Sequence, residues 1–282
     1  MKIEKLGLQH KELLVGKIKA LQTKISEYSF ANLWLFRDVH NYEVVIDKEI
    51  FIKGRTYDGH ISLMPIFDTS TVSKEYLQEI MASVDILFPV PEAQAKALSL
   101  MGFSTSFIDC DSDYLFLTEK LAEFVGAKLH NKRNLLKQFY SAHTYEILPL
   151  TNDRLNDAKA VLDMWQNDSE MAAKDTDYTP CKEAIERCEE LVLCGYVYYV
   201  ENEPSGFILG EELDEETFTL HFSKAKKQVK GLYQYMISAF AKATLSKYKY
   251  LNFEQDMCNL ALRHSKTSYY PDVVLKKFRI SA

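Results

Sequence analysis

The residues whose order most resembles chemical machinery lie between Thr217 and Tyr235, TFTLHFSKAKKQVKGLYQY, where an alternating strand runs through a basic loop into an amphipathic helix. The first turn of a helix has unpaired N–H groups at the positive end of its dipole, so such a junction can cradle a phosphate. Lys224, Lys226, Lys227 and Lys230 would act as point charges beside those donors. The expected cradle is Lys226, Lys227, Gln228, Val229, Lys230, Gly231, Leu232 and Tyr233. A charge run is otherwise a solvated loop; this one ends on Gly231 directly before the helix, which favours the phosphate. On the strand, Phe218, Leu220 and Phe222 share one face, and Thr217, Thr219, His221 and Ser223 the other. That polar face reads as a substrate-facing wall holding Thr219, or as a half-exposed strand. His221, with an unperturbed pKa of about 6.5, would take an ammonium proton or hold a structural hydrogen bond. A second basic group, Lys128, His130, Lys132, Arg133 and Lys137, falls on one short helix. Lys132 and Arg133 there read as an anion site for donor or acceptor, or as part of a solvated basic face.

These residues need a scaffold, and the periodicity supplies one of mixed helices and strands. Helices are expected over 10–25 and in SFANLWLFRD, a hairpin over 42–47 and 49–53, and a third strand over 60–67. Ser73 caps a helix, 85–88 is a short strand, and a helix opens at Pro91 and stops at Gly102. Strands 104–109 and 114–117 would complete a first sheet. Two helices, TEKLAEFVG and HNKRNLLKQFYSA, follow. After 145–148 a second unit begins, with helices from Thr151 and Pro180 and strands 195–201, 206–211 and 217–223. A helix over 231–246, a strand over 250–254 and a helix over 259–266 close it.

Composition removes several function classes. The formal charge, 34 − 40 = −6, argues against broad binding to nucleic acid or anionic lipid. The N-terminus lacks an apolar signal core and no apolar stretch is long enough to cross a bilayer, so a cytoplasmic protein without membrane insertion is expected. Five cysteines without a Cys-x-x-Cys pair point to neither a disulfide framework nor a zinc site. They are expected to be reduced, and no metal is expected. Gly-x-Ser-x-Gly, Walker and Gly-x-Gly-x-x-Gly motifs are absent, which speaks against nucleophilic hydrolases, P-loop enzymes and dinucleotide enzymes.

Gln228-x-x-Gly231-x-Tyr233 resembles the Gln/Arg-x-x-Gly-x-Gly/Ala loop with which GCN5-related N-acetyltransferases (GNATs) hold the pyrophosphate of acyl-CoA, with Tyr233 replacing the last small residue. Three tracts resemble the C-terminal catalytic region of phosphatidylglycerol lysyltransferases and the DUF2156 family built from it. They are SFANLWLFRD; Lys128 to Asn134 with Phe139; and HFSKA, GLYQ, Asn252-Phe253-Glu254-Gln255-Asp256, Leu262-Arg263, Lys266, Ser268-Tyr269 and Pro271. The resemblance implies α/β (α+β) tandem GNAT-like domains with mixed, mostly antiparallel sheets flanked by helices. Residues 1–145 would form the N-terminal domain and 146–282 the C-terminal one with the donor loop.

The resemblance also implies roles. In acetyltransferases the penultimate strand splays from its neighbour, so Asn252 and Glu254 would face the acceptor, Glu254 taking a proton or binding a cation. Glu254 and Asp256 read alternatively as acids preceding a helix. Tyr269 stands where many acetyltransferases protonate a leaving thiolate, or it packs as one of 17 tyrosines. The expected reaction is direct transfer of an acyl group from a CoA thioester to an amine, with a small-molecule donor and acceptor. The alternatives are transfer from aminoacyl-tRNA, against which net acidity speaks, and an inactive CoA-binding module.

Overall fold

Short apolar runs, buried on both faces, build the central strands of the first sheet of the computed structural model, which describes Met1–Ala282. The chain enters through β1 (Lys2–Lys5), α1 (Lys11–Ala20) and α2 (Phe30–Leu35), then β2 (Glu43–Ile46), β3 (Ile50–Arg55) and β4 (Ile61–Pro65). It continues with α3 (Lys74–Met81), β5 (Ile86–Val90), α4 (Glu92–Leu100) and β6 (Ser104–Phe107). Two serines cap helices: the Asn32 N–H donates to Ser29 Oγ at 3.1 Å and, as expected, the Tyr76 N–H to Ser73 Oγ at 3.2 Å. Val44 and Val45 of β2 register with Ile52 and Phe51 of β3, and Phe51, Leu63, Leu77, Leu87 and Leu98 join sheet and helices in one core.

The second sheet begins with β7 (Asp113–Leu117), followed by α5 (Thr118–Glu123), α6 (His130–Ala142), β8 (Tyr145–Pro149), α7 (Leu155–Asn167), α8 (Tyr178–Glu186) and α9 (Cys188–Leu191). A meander of β9 (Cys194–Val200), β10 (Glu203–Asp214) and β11 (Thr217–Ala225) leads to α10 (Leu232–Thr244) and β12 (Tyr250–Asn252). The chain ends with α11 (Leu260–Thr267), β13 (Val273–Leu275) and β14 (Phe278–Ser281). The apolar stripe of α10 covers this sheet: Phe240 meets Phe218 with ring centroids 5.1 Å apart, and Tyr235 stacks on Phe139 of α6 at 4.6 Å.

Strand orders are β1-β2-β3-β4-β5-β14-β6 and β13-β7-β12-β11-β10-β9-β8. Among the registered pairs only β4–β5 and β11–β12 are parallel. One unit comprises Met1–Tyr114, Glu254–Lys266 and Val274–Ala282; the other comprises Leu115–Phe253 and Thr267–Val273. The expected division at 145/146 therefore falls inside the second unit, and the chain returns to the first unit twice after β12.

Three local expectations change. Strand 114–117 belongs to the second sheet, pairing Phe116 with Leu251 of β12; Leu115 and Phe116 are both fully buried, so the strand is apolar on both faces and takes an interior place. Its expected place in the first sheet is filled by β14. The alternation of β11 is interrupted, because pairing with β10 jumps from Leu209↔Phe222 to Gly210↔Leu220 and leaves His221 as a bulge. Finally, Cys110 and Cys258 form a disulfide, while Cys181, Cys188 and Cys194 are free. The two bonded cysteines are 148 residues apart, a pairing that no local spacing records. No helix is long and apolar enough to cross a membrane.

Candidate functional site

A cavity of about 90 Å³ lies within the first unit, several times the roughly 10–15 Å³ that one water requires. Its wall combines Glu27, Asn32, Arg55, Glu254 and Gln255 with the rings of Phe36, His40, Tyr42, Tyr57 and Phe88. The Ser29 cap starts α2 so that Asn32 sits in its first turn, and Asn32 Nδ2 donates to Glu254 Oε1 at 3.2 Å. Glu254 itself adopts a left-handed conformation, φ 59°, as do Met257 (49°) and Cys258 (60°). Such strain persists only where the surroundings impose it. Here Lys266 Nζ donates to the Glu254 carbonyl at 3.2 Å and to the Gln255 carbonyl at 2.6 Å. Asp256 is fully buried, accepting from Tyr114 Oη at 2.7 Å and Arg263 Nε at 2.8 Å. That makes Asp256 a structural anchor of the segment.

One side of the cavity wall rests on a buried ionic cluster. Lys277, wholly inaccessible, places Nζ 2.6 Å from Glu27 Oε2 and 2.6 Å from Asp113 Oδ1, and also donates to Gln255 Oε1. Ser26 holds Asp113 through its N–H at 2.8 Å and its hydroxyl at 3.1 Å. Burial pushes the Glu27 carboxyl up to about 7; Lys277 opposes that rise and Asp113 reinforces it. Burial also disfavours the Lys277 cation, but the two carboxylates overcome this and raise its pKa. One cation facing two carboxylates leaves Glu27 able to exchange a proton near neutral pH, the property required of a general acid or base. A second buried cation, Arg279, pairs with Asp111 at 2.8 Å and Asp58 at 2.6 Å; Asp111 also accepts from Tyr57 Oη at 2.9 Å.

Glu254 is the one predicted catalytic residue that reaches this wall. Glu27, Asp113 and Lys277 were not foreseen. The available signal was the terminal tract, where Lys277 and Arg279 alternate with Phe278 and Ile280 in a strand pattern that makes one face cationic.

The other predicted residues belong to the second unit. His221 Nε2 lies 2.9 Å from Glu211 Oε1 with its ring fully enclosed, which is its structural reading. Thr219 is buried with an unpartnered hydroxyl, in register with the equally buried Asn252 where β11 and β12 cease to pair. In the loop, Lys227 Nζ donates to the Asp168 carbonyl at 2.9 Å and Gln228 Nε2 to the Asp168 carboxylate at 3.0 Å. Lys224 turns onto Trp165 and Asp177. The Lys226 N–H bonds Ser205, the Leu232 N–H bonds Val229, and Lys230 is exposed. Gly231, φ 85°, lies under α6, where a β-carbon would sit 2.6 Å from the Leu135 carbonyl oxygen. Burial raises the pKa of the half-buried Tyr233, opposed by a hydrogen bond from the Ala225 backbone.

Arg133 donates to the carbonyls of Phe124 and, at 2.6 Å, Gly126, so it caps the end of α5. Lys132 donates to Ser268 Oγ at 2.8 Å and lies 3.9 Å over the Tyr269 ring; burial lowers its pKa. Tyr269 packs on Phe116, Phe124 and Phe253, accepts from Gln234 Nε2 at 3.1 Å, and is pushed up to about 12 by burial. Tyr269→Phe should therefore cost about 0.5–1.5 kcal/mol in urea unfolding, the worth of one hydrogen bond. It should leave any transfer rate nearly unchanged; a drop of about 100-fold would make the phenol a general acid.

The family model "Phosphatidylglycerol lysyltransferase, C-terminal" matches residues 18–281. Among solved structures, a Bacteroides thetaiotaomicron protein of unknown function superposes with TM-score 0.87 at 23% identity, covering 100% of this chain and 99% of that one. The C-terminal DUF2156 domain of a protein assigned as a lysylphosphatidylglycerol synthetase from Agrobacterium fabrum gives 0.66 at 11%, covering 96% and 93%. L-PGS from Bacillus licheniformis gives 0.63 at 14%, covering 96% and 91%. These likenesses fix the fold as tandem GNAT-like domains, which GNAT-family acetyltransferases also adopt. No curated protein matched the chain.

Proposed function

Because the chain belongs to the phosphatidylglycerol lysyltransferase C-terminal family, we propose that it transfers an aminoacyl group from an ester-linked donor, aminoacyl-tRNA, to a lipid hydroxyl or an amine. The observation that carries this reading is the cavity wall, where Glu254, held by Asn32, stands among aromatic rings. A carboxylate with aromatic faces is complementary to an ammonium group, through charge and through the ring quadrupoles. It therefore suits a cationic aminoacyl side chain. Glu27 supplies the proton traffic. Attack by an acceptor hydroxyl on the ester carbonyl releases a proton to the Glu27 carboxylate, and collapse of the tetrahedral adduct returns a proton to the departing ribose oxygen.

Transfer from a CoA thioester at residues 226–233 is the competing reading. Lys227 and Gln228 are committed to Asp168 and Gly231 packs under the Leu135 carbonyl, which favours the aminoacyl donor. The test supplies labelled lysyl-tRNA with vesicles containing phosphatidylglycerol and, separately, labelled acetyl-CoA with mixed amines. The label should enter lipid or amine from the tRNA donor. Transfer only from acetyl-CoA overturns this in favour of the thioester, and ligand binding without transfer from either donor leaves a binding module.

A further inference from the structure

We propose that the Cys110–Cys258 disulfide is a thiol–disulfide exchange site that holds the cavity wall in its observed shape and releases it on reduction. The bond lies wholly within the first unit and joins a segment that lines the cavity to one that holds a lining residue. Cys258 follows Met257, a wall residue, in a stretch where Glu254, Met257 and Cys258 are all left-handed. Cys110 precedes Asp111, which accepts from Tyr57, another wall residue, at 2.9 Å. Strained L-residues stay in place only while their surroundings hold them, and the disulfide is the covalent part of that hold.

The two sulfurs are also unequal in the manner exchange chemistry needs. Cys258 is exposed, whereas Cys110 is 7% exposed with Arg263 Nη2 3.0 Å from its Sγ. An incoming thiolate of a dithiol reductant attacks Cys258 Sγ, the S–S bond breaks, and Cys110 departs as a thiolate facing the guanidinium. A positive neighbour lowers the pKa of the departing thiol and so speeds its release. The second thiol of the reductant then attacks the mixed disulfide; the reductant leaves oxidised, and Cys258 takes up a proton. Two electrons pass from reductant to protein.

Once Cys258 is free, Arg263 still holds Asp256 and Lys266 still holds the carbonyls of Glu254 and Gln255. Reduction thus loosens Met257 and Cys258 without unfolding the unit. The inference holds whatever group the cavity accepts, and its readouts need no substrate.

Purified without reductant, the full chain should show three free thiols in denaturant, those of Cys181, Cys188 and Cys194. Native treatment with dithiothreitol should expose two more. Hydrogen–deuterium exchange of a peptide spanning 254–258 should then quicken about tenfold while β10 is unchanged. The Cys110→Ser/Cys258→Ser double variant should exchange like the reduced protein with or without reductant. Arg263→Gln should slow native reduction about tenfold, and Arg263→Lys, which keeps the charge, should slow it much less. Five thiols at the outset, reduction only in denaturant, or unaltered exchange after reduction would each overturn the proposal.

Discussion

Lys277→Met is expected to lower folding stability by about 3–5 kcal/mol, the usual loss when one partner is removed from a buried ion pair. The lysine is fully buried and lies within 2.6 Å of both Glu27 and Asp113. Methionine matches much of its length but leaves two carboxylates to share one site without a cation. Urea unfolding at pH 7 should show the loss as a lower midpoint with a similar slope. Acid should narrow the gap, because protonating the carboxylates removes the uncompensated charge.

The wild-type protein has its own pH signature at this cluster. Glu27 is raised from 4.5 to about 7 in the folded state, so between those values the native protein binds a proton that the unfolded chain does not. Its contribution to stability is therefore fully present below about pH 4.5. It is lost as pH rises toward 7, by at most about 1.4 kcal/mol per pH unit. A gap between wild type and Lys277→Met that stays constant from pH 5 to 8 would contradict the charge assignment.

Gly231→Ala is expected to cost about 2–4 kcal/mol, combining a left-handed backbone with overpacking. The φ of 85° disfavours any L-residue, and the new β-carbon would lie 2.6 Å from the Leu135 carbonyl oxygen and 3.0 Å from Phe139 Cβ. The melting temperature should fall by several degrees, at roughly 2–4 °C per kcal/mol for a chain of this size. A melting temperature within a degree of wild type would mean that α6 does not pack over this glycine. The same geometry changes how activity data on Gly231 must be read. A carboxylate or methyl placed there disturbs packing whether or not a phosphate binds nearby, so lost activity is not diagnostic. Lys230→Ala, on an exposed side chain, is the cleaner probe of a phosphate site.

Features governed by local periodicity were legible in the chain. The Ser73 cap, the β2–β3 hairpin and the apolar stripe of α10 follow from spacings of two to four residues. Glu254 was singled out because its tract, Asn252 to Asp256, resembles a family motif, and it lines the cavity. What remained hidden depends on partners distant in sequence. Lys277 and Glu27 meet across 250 residues, and a lysine just before the last strand reads as a solvated charge until its two carboxylates are seen. The disulfide and the place of β14 were hidden likewise, since both arise when the chain re-enters the first unit after β12. His221 takes the structural one of its two readings: strict alternation assigned its face, but a bulge falls at that residue and Glu211 holds its ring.

Calorimetric titration of the wild-type protein and Glu254→Gln with lysine methyl ester and norleucine methyl ester tests the central claim, that the first-unit cavity receives a cationic aminoacyl group. The two esters differ at the end of the side chain, where one has an ammonium and the other a methyl. Wild type should bind the lysine ester at least about tenfold more tightly, roughly 1.4 kcal/mol, and Glu254→Gln should erase that preference. Equal affinity for both esters, or a preference that survives in Glu254→Gln, would contradict it.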